Sequence, residues 1–253
     1  MTQEKIAEIK KKLETAEWQE LPDLLNSYRT DERAGVAALV KRFERKLEQE
    51  QKESERLYQM LAYEREYETA GLICGIDEAG RGPLAGPVVA GAVILPKDCQ
   101  IRYLNDSKQL SKKKREQLYD EIMEKALAVG VGMASPARID EINILQATYE
   151  AMREAIGKLS EKPAVLLNDA VRIPGVEIQQ VPIIKGDAKS LSIAAASIIA
   201  KVTRDRLMEE YDKIMPEYSF AGHKGYGSAA HIEAIRTYGP SPIHRTSFIK
   251  NFV

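Results

Sequence analysis

The segment Gly75-Ile76-Asp77-Glu78-Ala79-Gly80-Arg81-Gly82-Pro83-Leu84-Ala85-Gly86-Pro87 closes an apolar run with two adjacent carboxylates and follows them at once with a glycine-flanked arginine. Carboxylates bind hard divalent cations, and an arginine between bare backbone amides can come close to a phosphate or a sugar. Adjacent residues on a regular strand point to opposite faces, so Asp77 and Glu78 can share one site only where the strand ends and the glycines let the chain turn. An isolated Asp-Glu pair reads most simply as a strand-to-loop turn with solvated acids. Arg81 weakens that reading and favours metal beside phosphate.

Two further acids stand in comparable places. Ala164-Val165-Leu166-Leu167-Asn168-Asp169 is a short buried strand ending in a carboxylate, and a strand over Val181 to Ile184 stops just before Lys185-Gly186-Asp187. Strand ends and helix starts are where sites are built in alternating α/β chains. Asp187 precedes Ser190 to Ala200, a helix with one face of small residues, and a helix start favours an ionised acid. Either acid alone would read as a cap or a surface group, but four together shift the balance. Oxygen donors without paired Cys or His suit Mg²⁺ or Mn²⁺. His223, His231 and His244 lack ligand spacing and read as hydrogen-bonding or packing residues, and Cys74 and Cys99 indicate neither a disulfide framework nor a thiolate metal site.

The elements that must position these residues follow from pattern. The chain has 253 residues, 44% hydrophobic and 30% charged, with formal net charge −1, which allows one sizeable domain plus an appendage. Residues 1–70 carry a net charge of −3 and residues 71–253 a net charge of +2. With acids committed to metal, the second part suits a polyanionic partner. Before Gly71 the chain reads as helix. Ile6, Ile9 and Leu13 recur at helical spacing, and a longer amphipathic stretch runs from about Asp31 to Tyr67 behind a Thr30 N-cap. The cluster Lys41-Arg42-Phe43-Glu44-Arg45-Lys46 reads as a solvated helix face. From residue 72 the pattern turns mixed. Strands over Leu72–Glu78 and Val88–Leu95 form a hairpin, a Ser111-capped helix covers Lys112–Ala126, a third strand covers Leu127–Ser135, and a helix covers Asn143–Leu159. No run approaches the ~20 apolar residues of a membrane span. The opening Met1-Thr2-Gln3-Glu4-Lys5 is charged, so a cytoplasmic location is expected.

Six ordered motifs then carry a resemblance. They are the Gly75 to Pro87 segment, Asp106-Ser107-Lys108, Leu167-Asn168-Asp169-Ala170, Lys185-Gly186-Asp187-Ala188-Lys189-Ser190 through Ala200-Lys201-Val202-Thr203-Arg204-Asp205, His223-Lys224-Gly225-Tyr226-Gly227, and His244-Arg245-Thr246-Ser247-Phe248. Over about residues 71–250 the chain resembles the ribonuclease HII enzymes of the type 2 ribonuclease H family. Asn168 departs from that pattern, which has an aliphatic residue before the acid.

The resemblance implies a ribonuclease H-like α/β fold, with a central mixed sheet flanked by helices. It implies a catalytic domain over 71–253 with C-terminal helices, and leaves 1–70 as a helical N-terminal extension. It implies that Asp77, Glu78, Asp169 and Asp187 hold two Mn²⁺ or Mg²⁺ ions, which activate water and stabilise the leaving 3′ oxygen. The Gly80-Arg81-Gly82 segment would read the 2′-hydroxyl and its phosphate, and Tyr226 would pack on the next, deoxy, sugar. Lys108, Lys189 and Lys224 are further phosphate contacts. The implied activity is endonucleolytic cleavage of RNA in RNA/DNA hybrids and 5′ of ribonucleotides embedded in duplex DNA, leaving 3′-hydroxyl and 5′-phosphate ends, by a monomer. Two alternatives stand beside it. A ribonuclease HIII-like hybrid nuclease without junction preference is opposed by Arg81 and the helical 1–70, and a catalytically silent nucleic-acid-binding module is opposed by the presence of all four acids.

Overall fold

The computed structural model describes residues 4–253, so Met1, Thr2 and Gln3 of the charged opening lie outside the described residues. The chain divides into two compact units, residues 1–58 and 59–253. In the first, α1 (Ile6–Thr15), α2 (Leu21–Tyr28) and α3 (Ala34–Met60) enclose Ile9, Leu13, Leu21, Leu25, Val36, Val40 and Phe43; α3 runs on past the boundary. The i, i+4 pairs of this core are what amphipathic helices bury. Residues 21–28 form a helix within the stretch read as helical, and Pro22 sits in its first turn, where its missing N–H costs nothing. One expectation needs correction here. Thr30 is not a cap. The helix starts at Ala34, and Asp31 instead accepts hydrogen bonds from the Arg33 backbone and guanidinium. Within the basic cluster Phe43 is core, and Lys46 lies over the Trp18 ring at 4.9 Å.

The second unit starts with the last turn of α3 and a short α4 (Ala62–Tyr67), then enters a five-stranded sheet. Its strands are β1 (Ile73–Ala79), β2 (Val88–Ile94), β3 (Ala128–Ala134), β4 (Val165–Asp169) and β5 (Gln179–Ile183), in the order β3-β2-β1-β4-β5. Pairs β1–β2 and β2–β3 are antiparallel, whereas β1–β4 and β4–β5 are parallel. The sheet is therefore mixed, and the carboxyl ends of β1, β4 and β5 share one edge.

Helices cover both faces. Ser111 accepts from the Lys114 N–H to cap α5 (Lys112–Lys125). Next comes α6 (Pro136–Gly157), whose Ala147, Ala151 and Ala155 pack with Cys74, Ile76 and Ala90. The other face takes α7 (Leu191–Ile214), capped by Ser190. It lies so close that a Cβ on Gly75 would stand 2.0 Å from Ser192 and one on Gly91 would stand 2.5 Å from the Ala196 carbonyl. Small residues on both elements permit this contact. The chain ends with α8 (Phe220–His223), α9 (Ala229–Tyr238) and α10 (Thr246–Ile249). Among the described residues no helix is long and apolar enough to cross a membrane.

Two boundaries and one side chain need a local account. The helix expected from Asn143 begins at Pro136, capped by Ser135. Asn143, at φ 68°, is a kink whose side chain accepts from the Leu145 and Gln146 N–H groups and so caps the second segment. Strand β1 continues through Ala79, so the turn comes at Gly80 (φ 93°), not at the acids. Asn168 is fully buried, donating to Gln180 Oε1 at 2.9 Å, and Gln180 in turn ties the 173–176 loop to the sheet edge.

Candidate active site

The parallel strands bring the acids to one edge: Asp77 lies in β1 opposite Gly91, Asp169 is the last residue of β4, and Asp187 is in the turn after β5. Asp77, only 4% exposed, points toward α7, where the nearby Ser197 hydroxyl partly offsets the cost of burying its charge. Its Oδ1 also accepts from the Glu78 N–H at 2.7 Å. Ser197 Oγ is 2.9 Å from Ser107 Oγ, which couples the Asp106-Ser107-Lys108 turn to the same point. Asp169 accepts from the Gly186 N–H at 2.7 Å, fixing the turn that carries Asp187.

Charge crowding dominates this edge. Burial, then the neighbouring charges of Glu78 and Asp169, push the Asp77 carboxyl well above the usual range. Burial also raises Glu78, opposed by Arg81, whose Nη1 is 3.3 Å from Glu78 Oε1. Asp187 is raised by burial and by Asp106 and Asp169. Lys108 is a second cation beside them, its Nζ 3.9 Å from both Asp106 and Asp187. Burial opposes its charge, but Asp106, Asp77, Asp187 and Asp169 outweigh that and raise its pKa. Among the described residues no three of these side chains enclose one ion-sized point. The fit to a hard cation therefore rests on two observations: an oxygen-only donor set whose negative charges destabilise one another, and an exposed ammonium whose charge those acids stabilise.

A cavity of about 260 Å³ adjoins the acids, walled by Glu78, the Gly80–Gly82 loop, Lys108, Lys201 and Tyr226. Two fully buried arginines shape it from behind. Arg245 donates to the carbonyls of Gly80 (2.6 Å), Arg81 (2.8 Å) and Gly86 (2.8 Å). Arg204 donates to those of Ala85, Pro87 and Lys224. In a trans peptide the C=O and the following N–H point in opposite directions, and no cis bond occurs among the described residues. Because the Gly80 and Arg81 carbonyls are drawn inward, the Arg81 and Gly82 N–H groups face outward. Burial, then the charge of Arg204, lowers Arg245 to about 9.

Pattern reading missed Arg204, Arg245, Ser107, Ser197 and Lys201. Each lies inside a quoted motif, but a basic residue in a helical run gives no local sign of burial. Of the candidates, Arg81, Lys108, Tyr226 and the two glycines line the cavity with Glu78. Lys224 does not, since its ammonium donates to Glu209 Oε1 and to the Ala221 carbonyl, both at 2.6 Å. Lys189 is exposed beyond the wall. A larger, mainly apolar cavity of about 360 Å³ near Leu61, Leu72, Leu95 and Leu127 holds none of the clustered acids.

Comparison with known proteins bears on the family and the fold. The family model described as Ribonuclease HII matches residues 74–251, and that of the Ribonuclease HII N-terminal domain matches residues 5–68. A ribonuclease HII of Lachnoclostridium phytofermentans is 64% identical over 247 residues, covering 98% of this chain and 97% of its own. One of Clostridioides difficile is 51% identical over 255 residues, covering 100% of both chains. Among solved structures, the ribonuclease H2 of Pyrococcus horikoshii OT3 superposes with a TM-score of 0.59 at 30% identity over 72% of this chain and 97% of that one. The RNase HII in a PCNA complex from Archaeoglobus fulgidus gives 0.60 at 28% identity, over 71% and 96%. A Bst-RNase HIII in complex with Mn²⁺ shares the fold, at 0.52 and 18% identity over 67% of this chain and 63% of that one.

Proposed function

The chain belongs to the ribonuclease HII family, and from that premise we propose that it cuts the RNA strand of RNA/DNA hybrids and nicks duplex DNA on the 5′ side of an embedded ribonucleotide. The observation that carries the reading is the junction of two half-sites. The acids gathered at the carboxyl ends of β1, β4 and β5 adjoin, through Glu78, a cavity walled by outward-facing loop amides and a half-exposed tyrosine.

We assign the ion-holding role to Asp77, Glu78, Asp169 and Asp187. Divalent cations bound there would supply a water nucleophile at neutral pH and charge stabilisation for the leaving 3′ oxygen. The protein's own groups do the rest. The Glu78 N–H orients Asp77, and the Gly186 N–H orients Asp169, so that carboxylates are held in place before substrate arrives. Lys108 offsets the excess negative charge that would repel a phosphodiester.

Selection belongs to the other wall. The Arg81 and Gly82 N–H groups, with the Arg81 guanidinium, suit a 2′-hydroxyl and its adjacent phosphate, because only ribose offers the hydroxyl. Tyr226 presents its ring to the following sugar. Lys201, ion-paired to Asp205 at 2.8 Å and 5.8 Å from the Tyr226 ring, lines the same cavity. Lys189 is left for a more distant phosphate. The Bst-RNase HIII neighbour solved with Mn²⁺ supports a divalent ion of this kind.

The test compares a duplex containing one ribonucleotide with a continuous RNA/DNA hybrid, each with Mg²⁺ and then Mn²⁺. Cleavage of both substrates, with a strong response to the single ribonucleotide, supports the reading. Cleavage of the hybrid alone would instead favour a hybrid nuclease without junction preference.

A further inference from the structure

Three histidines lie behind Tyr226, apart from the carboxylates. His231, in the first turn of α9, is fully buried, and His244 is 4% exposed. Their hydrogen bonds admit one direction only. The Ser241 N–H donates to His244 Nδ1 at 2.8 Å, so that nitrogen holds a lone pair and the neutral ring carries its proton on Nε2. His244 Nε2 faces His231 Nε2 at 2.9 Å, which makes the latter the acceptor. The His231 proton therefore sits on Nδ1, 2.9 Å from the Tyr226 carbonyl. That carbonyl also accepts from the Ser228 N–H at 2.8 Å, so both of its lone pairs are engaged.

The ring planes are fixed as well. His223 stacks on His231 with centroids 4.2 Å apart, and Phe220 meets His231 edge-on at 5.5 Å. His223 is itself committed: its Nδ1 accepts from the Gly225 N–H, and its Nε2 donates to the Tyr218 carbonyl.

The relay also links the two walls of the cavity. Residues 243–245 pair with the loop at Leu84, Ala85 and Gly86, and Leu84 donates to the Gly225 carbonyl. The segment that carries His244 thus also carries Arg245, which holds the Gly80 and Arg81 carbonyls.

We propose that His231 and His244 are positioning residues for substrate choice: a buried relay running from Ser241 through both imidazoles to the Tyr226 carbonyl sets the place of the tyrosine ring against the wall of outward-facing amides. This rests on the reading of Tyr226 as the sugar contact. An apolar pair of similar size would fill the same space but leave the carbonyl with one bond fewer and Tyr226 free to shift.

The experiment has two parts. Nitrogen NMR of isotope-labelled histidines in the wild-type protein near neutral pH reads the tautomers directly. The relay requires Nδ1–H at His231 and Nε2–H at His244, and the opposite pair would overturn it. This part needs no variant, so it stands even if a substitution fails to fold. The second part uses the side-chain amides that mimic each ring nitrogen. His231→Asn keeps a donor where Nδ1 stood, whereas His231→Gln places its amide where Nε2 stood and loses the bond to Tyr226.

The quantity read is the ratio of kcat/KM on a single-ribonucleotide duplex to that on a continuous hybrid. In His231→Gln it should fall by about three- to tenfold, the worth of one hydrogen bond, and in His231→Asn it should stay within about twofold of wild type. Equal losses on both substrates, with the ratio unchanged in both variants, would make His231 a packing residue and overturn the proposal. Tyr226→Ala separates the two levels. If it leaves the ratio unchanged, the reading of Tyr226 fails and the relay's role in selection fails with it. If it shifts the ratio while His231→Gln does not, the relay alone fails.

Discussion

Arg245 donates through Nη2 to the Gly80 carbonyl at 2.6 Å and through Nη1 to that of Arg81 at 2.8 Å, so a fully buried cation holds the loop in the orientation that turns its amides toward the cavity. Lysine keeps the charge but offers one compact donor group in place of a planar fork. Arg245→Lys should therefore destabilise the protein by about 2–4 kcal/mol, since carbonyls are left unpaired in the interior. It should also weaken cleavage at a single ribonucleotide more than cleavage of a continuous hybrid. Denaturant midpoints and paired kinetics check both parts; an unchanged substrate ratio would confine Arg245 to a stabilising role.

The crowded acids predict an opposite sign for stability. Asp77 has a folded-state pKa raised well above 3.8, so it favours the folded state only at pH below the unfolded value and costs stability as pH rises through the folded value. Asp77→Asn removes that charge. At neutral pH without divalent ions the variant should be as stable as wild type or more so, by on the order of 1 kcal/mol, while losing cleavage. A melting temperature well below wild type would contradict the assigned repulsion.

Added Mn²⁺ should raise the melting temperature of the wild type, because a ligand that binds only the folded state stabilises it by mass action. Removal with a chelator should reverse the gain, and Asp77→Asn should show little of it. Thermal melts over a metal titration decide this; an equal shift in the two proteins would place the ions elsewhere.

His244 gives a separate acid limb. Burial, then the neighbouring His231, lowers it to about 4 from the ordinary 6.5. The unfolded chain therefore binds the proton first, so stability is full above pH 6.5 and falls as pH drops toward about 4. His244→Gln, which has no proton to take up, should flatten that limb, and denaturation across this pH range measures the slope. An unchanged slope would mean that His244 is protonated in the folded state as easily as in the unfolded chain.

Glu64 ties α4 to the start of α7. Its Oε1 accepts from Ser190 Oγ at 2.6 Å and from the Ser192 N–H at 2.9 Å, just beyond the turn that carries Asp187. A carboxylate at a helix N-terminus is favourable, so Glu64→Ala should cost about 1–2 kcal/mol. Truncation before residue 59 should retain this contact and a folded second unit, whereas truncation through residue 70 should lose it. Comparing the melting temperatures of the two truncated chains is the check, and equal values would remove Glu64 from the account of α7.

Much of this fold was legible because apolar strands, serine caps and glycine turns are local signals. Ser111 caps the helix expected of it, the helix read from Ser190 appears as α7, and β3 lies where the glycine-spaced run does. What escaped was set by distance in sequence. His231 and His244 are thirteen positions apart and meet only because α9 folds back beside the segment pairing with Ala85. Arg204 reads as one charge among several in a helix, and only packing against Pro87 and Ala85 shows it to be buried. Glu78 was expected as the last residue of its strand, but β1 continues to Ala79, and Glu78 lines the cavity from within the strand.

The most direct measurement is to map the cut on a labelled DNA duplex carrying one ribonucleotide. The proposed site predicts a single break on the 5′ side of that ribonucleotide, with 3′-hydroxyl and 5′-phosphate ends, dependent on a divalent ion and absent from Asp77→Asn. A cut on the 3′ side, a 2′,3′-cyclic phosphate end, or full activity in Asp77→Asn would contradict it.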